Sequence, residues 1–556
     1  MRNHNSFFAS LVLVCATAAI LLTQTGCMDC TWRCTAGEPS RANYVRWQNY
    51  LKVRTAEPDE PIATTQTQIS NVSPEMAAAK IAQALESYDA ELGYRLSSVF
   101  EIANTDALEG EGTRPAITDV VVNGHYYYVA FLDYPAGEVN RAAYEQTKRT
   151  IPAVAVVDAE DETRPAWIRT ADEEGNPYAI KVYMGVQTSG WDDQNIYRFL
   201  RNRGYRTYGS HRLDNPTLEF DENWRPYFTV TYCDDDGWGA EIGTAFFPES
   251  LLVVDIQLET MQEYALDDPN TEANERADNI PDWVDQIYSP ELILDWIGHW
   301  GYNPENYGKT SNLDRFIVDG GRLDQVMNAA NTNLVFVAYI TSTQQDNSTV
   351  GVMLVNPRSG NATYYPTQGV ERAMATKSAA ANAIRQAAIR WEYDVEDLTL
   401  HTIYGVRTWE GVLTRPAFDN DGERYGSLYA ATVLLRADHY VHPAGAIWAN
   451  NRHEAFTRYE EYLYLRQTTR VGSNVLEDEE VTGTVGEVQR VVLGGDTSFL
   501  LRLEGHPGEL WGVSLGYLGN PQTEDVLTVE PGDEVFMMYG DPQNRDTYIV
   551  REISRR

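Results

Sequence analysis

The histidines best suited to binding a metal ion lie close together in the C-terminal half of the chain. His439 and His442 are three residues apart, and His453 is followed by Glu454. Two histidines on one face of a helix, completed by a third ligand, are typical of zinc sites. Pro443 interrupts any helix there, because proline lacks a backbone N–H and clashes with the preceding turn. The sequence therefore favours solvated loop histidines, and we predict no metal site.

Carboxylates form the next candidate sites. Asp234 to Asp236 precede Gly237, and Asp419 to Glu423 form a second cluster. Clustered carboxylates suit a hard cation such as Ca²⁺, but neither cluster has the spacing of the twelve-residue calcium loop. Solvated turns are favoured over Ca²⁺ binding at both. Glu410 has no facing acid that the sequence can place, so no acid–base pair is predicted around it.

Sequence motifs for nucleophilic and phosphate chemistry give no convincing site. Gly512 to Gly516 has the letters Gly-x-Ser-x-Gly, but it lies in a run with apolar residues at every second position, whereas the nucleophile elbow is a sharp turn between a strand and a helix. The chain contains no phosphate-cradling glycine loop and no His-Glu-x-x-His. The sequence therefore predicts no catalytic residue and no cofactor. We expect the protein not to be an enzyme.

The first 27 residues are typical of an export signal. Arg2 supplies a weakly basic start, and Phe7 to Leu22 is mostly apolar. Gly26-Cys27 resembles the end of a bacterial lipoprotein signal, which makes Cys27 the predicted lipidation site. Gln24 departs from that pattern, so an uncleaved transmembrane anchor stays open as the alternative. Either way, we expect an exported protein tethered to the outer face of a membrane through its N-terminus.

Three cysteines follow one another at the end of this segment. The spacing Cys27-x2-Cys30-x3-Cys34 invites a metal interpretation, but no nearby histidine completes a tetrahedral site. A disulfide between Cys30 and Cys34 is the preferred prediction. Cys233, near the end of an apolar run, is expected to be a buried thiol.

The composition limits the partners that the chain can bind. There are 44 basic and 81 acidic residues, which give a net charge of −37. Acidity of this size opposes binding to nucleic acid and to anionic membrane surfaces. With 43% hydrophobic residues, the chain has enough apolar material for several packed domains. A saline habitat or a GC-rich genome could also account for this composition, and the sequence does not distinguish the two.

An apolar run closed by Asp or Asn occurs three times. The closing residues are Asp158, Asp255 and Asn356, which are 97 and 101 residues apart. Each run leads through a few polar residues into a second apolar segment, which predicts a strand, a turn and a strand. The short side chain suits a turn because it hydrogen-bonds to the backbone ahead. Three copies at a spacing near 100 residues predict duplicated domains.

Helix starts accompany these runs. Ser73-Pro74-Glu75 and Ser289-Pro290-Glu291 each combine an N-cap serine with a proline at the first helical position. Asn123-Gly124 predicts a hairpin turn between two strands. The predicted fold class is therefore α+β, with tandem modules of a helix plus an antiparallel sheet.

The last part of the sequence reads as strands throughout. Apolar residues occupy every second position at Phe499, Leu501 and Leu503, and again at Trp511, Val513 and Leu515. Five or six short strands predict a small β-barrel, OB-like in outline. An OB-like barrel often binds single-stranded nucleic acid, but the acidity of this one predicts a structural or protein-binding role instead.

The order of helix and strands, with a closing Val-Val-Asp, resembles the PepSY module of exported bacterial proteins. Residues 280–288, 350–385 and 481–485 are more specifically similar to large membrane-anchored bacterial surface proteins. The resemblance implies tandem PepSY-like modules and names no reaction. The expected segments are an export or anchor segment (1–27), a membrane-proximal segment and linker (28–73), modules 74–180, 181–288, 289–370 and 371–472, the last with a trailing helix, and the barrel (473–556).

These observations predict a non-enzymatic scaffold of the cell envelope, with an interaction, regulatory or structural role. Its expected partner is an envelope protein. One alternative is an envelope hydrolase whose inhibitory modules accompany an unrecognised active site. Another is a structural protein of a virion or envelope.

Overall fold

The structure is a computed structural model. It describes residues 50–57, 60–64, 72–89, 94–98, 101–102, 117–133, 150–182, 195–205, 211–234, 247–266, 279–301, 316–330, 332–342, 348–367, 374–388, 393–418, 424–437, 445–465, 479–493, 496–506, 508–515, 525–540 and 547–556.

The described chain begins with a short strand and a helix. Strand β1 is Lys52–Thr55, helix α1 is Pro74–Leu85, and a small hairpin pairs β2 (Tyr88–Asp89) with β3 (Tyr94–Arg95). Ser73 caps α1 as predicted, since its hydroxyl accepts a hydrogen bond from the backbone N–H of Met76 at 3.1 Å.

Four sheets follow, antiparallel except where β1 joins the third, and in each the first strand is interrupted. In the first sheet, β4 (Glu101–Ile102) and β5 (Thr118–Val122) both pair with β6 (His125–Asp133), which is followed by β7 (Ala153–Asp158) and β8 (Trp167–Arg169). Helix α2 (Ile196–Asn202) then leads to the second sheet, in which β9 (His211–Leu213) and β10 (Thr217–Phe220) both pair with β11 (Pro226–Asp234), followed by β12 (Phe247–Asp255) and β13 (Thr260–Ala265).

The third and fourth sheets repeat this order. After α3 (Pro290–Trp300), β14 (Phe316–Val318) and β15 (Asp324–Met327) both pair with β16 (Leu334–Ser342), followed by β17 (Ser348–Val355) and β18 (Asn361–Pro366). Strand β19 (Met374–Ala375) pairs with β17, and α4 (Lys377–Ala388) follows. The fourth sheet contains β20 (Asp394–Ile403), β21 (Val406–Phe418), β22 (Arg424–Arg436) and β23 (Ala446–Ala449). Helix α5 (Arg452–Leu465) follows in the sequence and packs on β22 and β23. Here the interruption is a bulge between Glu396 and Thr399.

The three repeated polar residues form the same turn after the third strand of the first three sheets. In each, a side-chain oxygen accepts a hydrogen bond from the backbone N–H two residues ahead, which is the geometry expected of such a turn. The pairs are Asp158 with Glu160 (3.0 Å), Asp255 with Gln257 (3.0 Å) and Asn356 with Arg358 (2.9 Å).

The sheets pack in pairs and are covered on both faces. The first and second sheets enclose one apolar core, which includes Val156 and Val254, and the third and fourth enclose another, which includes Val352 and Val433. The opposite faces of the first and third sheets share a large core with α1 and α3. Every residue of β7 is buried, as expected for a strand covered on both sides.

The predicted fold class, α+β with tandem helix-plus-sheet modules, is wrong. Strands account for 51% of the described residues and helices for 20%. One short helix cannot cover two apolar faces of a sheet, so sheets cover one another. Helix α1 also packs far along the chain: a Cβ at Gly426 in β22 would lie 2.8 Å from the Cβ of Ala79. The helices therefore join sheets to one another.

The predicted linker contains residues that are packed into this structure. Tyr50, Leu51, Ala56, Ile62 and Val72 are buried. Strand β1 adds in parallel to the edge of β18, with Lys52 opposite Asn361 and Thr55 opposite Tyr364.

The C-terminal part is a closed five-stranded barrel. Its strands are β24 (Glu479–Leu493), β25 (Asp496–Leu503), β26 (Trp511–Ser514), β27 (Glu534–Gly540) and β28 (Tyr548–Arg555). The order around the barrel is β24-β25-β26-β28-β27, with β26 and β28 parallel. This Greek-key order is that of an OB-type barrel. Phe499, Leu501, Leu503, Trp511 and Val513 are buried in it, as their alternation predicts.

Candidate functional site

A cavity of about 290 Å³ lies where the first three sheets meet the start of α3. Strands β5 and β10 are edge strands that approach each other at this cavity; in the described part of the chain, β5 pairs only with β6, and β10 pairs only with β11. The lining residues are Ile117, Thr118, Asp119, Val129, Phe131, Asn215, Pro216, Thr217, Leu218, Phe228, Gln286, Pro290, Glu291 and Gln325.

The wall of the cavity is apolar with a few acceptor groups. Val129, Phe131, Leu218 and Phe228 come from the facing surfaces of the first and second sheets. Asp119 and Glu291 supply carboxyl groups, while no Lys, Arg or His of the described residues lines the cavity. An apolar wall with a small number of placed polar groups is typical of ligand-binding sites.

Asp119 is held in position by a tyrosine of the neighbouring strand. The hydroxyl of Tyr126 donates a hydrogen bond to Asp119 Oδ2 at 3.0 Å. Burial raises the pKa of Asp119, although the hydrogen bonds from its own backbone and from Tyr126 oppose this shift. Burial likewise raises the pKa of Tyr126 well above its usual value, so Tyr126 stays a donor. Asp119 is therefore a fixed acceptor on the face of β5 that carries Val121, which is opposite the face that carries Val120 and Val122.

Gln325 brings the third sheet to the cavity. Its Oε1 atom is buried and accepts no hydrogen bond from any described residue. A buried acceptor without a partner costs about 1–3 kcal/mol, because its hydration is lost without replacement. Because this oxygen has almost no accessible surface, a ligand in the cavity does not reach it without a movement of the surrounding residues.

A buried carboxyl group supports the wall behind Gln286. Glu219 accepts hydrogen bonds from the backbone N–H of Asp285 at 2.7 Å, from that of Gln286 at 3.2 Å and from the Thr229 hydroxyl at 3.1 Å. Burial, and then the neighbouring Asp285 carboxylate, raise the pKa of Glu219 to about 8. Burial also raises the pKa of Asp285, while the nearby Arg358 opposes that shift. Glu219 thus ties the segment before α3 to β10.

The predicted histidine and acid sites are not brought together at this cavity. His439 and His442 lie outside the described residues, and His453 is exposed on α5. Glu454 pairs with Arg458 on the same helix at 2.5 Å. Glu410 is buried, and Arg452 Nε donates a hydrogen bond to its Oε1 at 2.8 Å. Glu410 is therefore part of an ion pair between β21 and α5.

His401 lies on β20, close enough to Arg452 to be affected by its charge. It is fully buried, and its Nδ1 is 2.9 Å from the Thr64 hydroxyl oxygen. Burial, followed by repulsion from Arg452, lowers the pKa of His401 to about 3. The imidazole is therefore neutral, and its place inside the protein suits a structural role.

The remaining predicted positions are largely outside the described residues. These are the lipidation residue Cys27, the predicted disulfide pair Cys30 and Cys34, and the acidic clusters at 235–236 and 419–423. Cys233 is fully buried in β11, as predicted. The described residues include no group of three or more His, Cys, Asp or Glu that could hold a metal ion.

Sequence reasoning missed both Asp119 and Gln325. The available signal for Asp119 was an acid within residues 117–122, a strand that is apolar apart from Asp119 and Thr118. Gln325 gives no comparable signal, because its place in the cavity depends on how the first and third sheets meet.

Comparisons with known proteins add no family. No protein-family model matches the chain. No curated protein matches it either. The likeness to PepSY modules stays a prediction. In the part of the chain that the structure describes, no helix is long and apolar enough to cross a membrane.

Proposed function

We propose that the chain is an exported, membrane-tethered binding scaffold of the cell envelope. It holds a partner protein at the cavity between β5 and β10 and catalyses no reaction. The single observation that supports this proposal is the cavity itself, which joins an apolar wall and acceptor groups to the edges of two sheets.

The position of the cavity favours a protein as the partner. Edge strands offer backbone N–H and C=O groups to another chain, and the apolar wall offers area to a side chain of that chain. The cavity is small for an extended segment, since ligand sites of drug-sized molecules occupy about 300–1,000 Å³. One side chain of the partner therefore enters, while the rest of the contact lies along the rim.

The tether follows from residues 1–27 and is also part of the proposal. The described fold begins at Tyr50, whose side chain is buried between Tyr288 and Trp296. An anchor near Cys27 would leave about 22 residues between the membrane and Tyr50. Fully extended, a chain of that length spans at most about 80 Å.

Photo-crosslinking in native envelopes tests the partner. A photoreactive amino acid replaces Asn215, an exposed residue at the cavity rim, and in a matched variant it replaces Leu258, which is 60% exposed on the turn between β12 and β13. We expect one discrete crosslinked protein from position 215 and none from position 258. Equal products from both positions, or none from position 215, would contradict the proposed partner site.

A further inference from the structure

We propose that residues 280–288 form a proton-controlled latch on the second sheet. The latch stays docked while the carboxyl groups of Glu219 and Asp285 hold a proton between them, and it detaches when both are ionised. This inference goes beyond the proposed function, because it describes a conformational change that needs no partner protein.

One side of the segment is held by the second sheet. Glu219 on β10 accepts hydrogen bonds from the backbone N–H of Asp285 at 2.7 Å and from that of Gln286 at 3.2 Å. The hydroxyl of Thr231 on β11 donates to the carbonyl oxygen of Ile287. A single carboxyl group therefore holds two consecutive backbone N–H groups of the segment.

The other side of the segment is held by the third sheet. The Arg358 guanidinium, on the turn between β17 and β18, donates to three backbone carbonyl oxygens, those of Ile280, Pro281 and Val284. An arginine side chain is not deprotonated in proteins. The segment is therefore held by a permanent contact on the third sheet and by a titratable contact on the second.

The surroundings of Glu219 supply no cation to balance it directly. Glu219 is 5% exposed, and in the described part of the chain no Lys, Arg or His donates a hydrogen bond to it. The charged and titratable groups of the elements packed here are Asp282 and Asp285 on the segment, Arg358 on the turn of the third sheet, Asp221 directly after β10, Tyr227 opposite Glu219 on β11, and the ion pair of Arg225 with Asp255 beyond it.

These surroundings make the docked segment retain a proton. Burial, and then the Asp285 charge, raise the pKa of Glu219 from 4.5 to about 8. Burial also raises the pKa of Asp285, while Arg358 opposes that shift. Two neighbouring carboxyl groups that cannot both ionise without cost titrate as a pair. Since both groups of a detached segment reach water and release their protons earlier, docking weakens as the pH rises from about 4.5 toward about 8.

Detachment changes the cavity as well. Gln286 belongs to the segment, Pro290 and Glu291 follow directly after it, and all three line the cavity. The α3 side of the cavity wall should therefore loosen at alkaline pH, although neither sheet has to unfold.

Hydrogen–deuterium exchange of the full-length protein tests the latch. The protection factors of the Asp285 and Gln286 backbone amides, corrected for the intrinsic pH dependence of exchange, are compared at pH 5.5 and pH 7.5. Each proton released on detachment changes the docking equilibrium by up to about tenfold per pH unit. We expect the protection of both amides to fall at least about tenfold, while the amides of Leu354 on β17 and Leu501 in the barrel keep theirs.

Variants then assign the titrating groups. Glu219→Gln keeps an acceptor oxygen for the segment and should reduce the fall to the part due to Asp285. The double variant Glu219→Gln, Asp285→Asn should abolish the fall. The control Asp282→Asn changes a fully exposed acid of the same segment and should retain the wild-type fall.

Three results would overturn the latch. Protection that is the same at both pH values would show that no proton controls the segment. An equal fall at Leu354 and Leu501 would show that the whole protein opens. A folded double variant that keeps the wild-type fall would show that groups other than Glu219 and Asp285 titrate.

Discussion

Arg358 Nη2 donates a hydrogen bond to the carbonyl oxygen of Ile280 at 2.8 Å, across 78 residues of sequence. The same guanidinium donates to the carbonyl oxygens of Pro281 and Val284. The backbone N–H of Tyr288 reaches the carbonyl oxygen of Pro357 at 2.9 Å. The turn between β17 and β18 therefore holds the segment before α3, which carries Gln286 to the cavity.

Replacing Arg358 by lysine should destabilise the protein. A lysine has one compact ammonium group and cannot reach three carbonyl oxygens with the planar fork of arginine. Leaving buried carbonyl groups without donors should lower the free energy of unfolding by about 1–3 kcal/mol. Urea denaturation measures this, with Arg385→Lys as the control, because the hydrogen bond from Arg385 to Asn382 on α4 is exposed. Equal midpoints for the two variants would disprove the role of Arg358.

Glu219 should make stability fall as the pH rises. The folded-state pKa of Glu219 is raised to about 8 from an ordinary value of 4.5, so the folded protein binds a proton that the unfolded chain has released. Its contribution is complete below about pH 4.5 and is lost on the way to about pH 8, with a limiting slope of about 1.4 kcal/mol per pH unit. Glu219→Gln should reduce the slope of unfolding free energy between pH 5 and 8 and leave the part due to Asp285, since burial raises the pKa of Asp285 as well. A variant that keeps the wild-type slope would show that Glu219 does not titrate there.

His401 should contribute in the opposite direction on the acid side. Its folded pKa is lowered to about 3 from 6.5, so the unfolded chain takes up the proton first. Stability is therefore complete above about pH 6.5 and is lost as the pH falls toward 3. His401→Gln should reduce this acid sensitivity in thermal unfolding from pH 6.5 to 4, and the exposed His453→Gln should leave it unchanged.

Gly360→Ala should cost more than Gly175→Ala. Both glycines have a positive φ, +72° and +84°, which is strained for alanine. Only at Gly360 would the added Cβ also overlap the carbonyl oxygen of Tyr50, whereas at Gly175 nothing lies within 4 Å. We expect about 1 kcal/mol for Gly175→Ala and at least about 2 kcal/mol for Gly360→Ala. If both variants lose the same free energy of unfolding in chemical denaturation, the backbone at Tyr50 moves away from the added Cβ without a loss of stability.

The barrel should fold on its own and ignore nucleic acid. A fragment of residues 473–556 has a closed sheet and its own apolar core, but its size predicts modest stability. It loses the contact of Ile549 with Tyr464 and Leu465 of α5. Residues 481–556 carry twelve acids and six arginines, which repel phosphate. Cooperative urea unfolding without binding to labelled single-stranded DNA is the expected result, and salt-sensitive micromolar binding would contradict it.

Local patterns in the sequence predicted local structure well. Asn123 and Gly124 take φ values of 54° and 77°, as a tight hairpin requires. Ser289 caps α3 with a hydrogen bond from the N–H of Leu292. These features depend on neighbours a few residues away, so their residue types suffice to predict them.

Contacts between distant segments could not be predicted in the same way. An apolar face shows that something covers it and does not show what. A helix-plus-sheet module over residues 74–180 implies that α1 packs within that segment, yet α1 also packs on β22, and the Ser73 hydroxyl donates to Glu396. The cavity has the same origin, since Asp119 and Gln325 belong to different sheets.

The parallel addition of β1 to β18 also determines how the protein carries mechanical load. The bonds from Lys52 N–H to the Gly360 carbonyl and from Ala56 N–H to the Tyr364 carbonyl bracket the pair. Because hydrogen bonds of a parallel pair are evenly spaced and slanted along the strands, a pull on residue 50 along the axis of β1 loads them together in shear. They do not open one after another as in a peeled hairpin. Tension applied through the N-terminus would thus pass into the third sheet, next to the turn that Arg358 occupies.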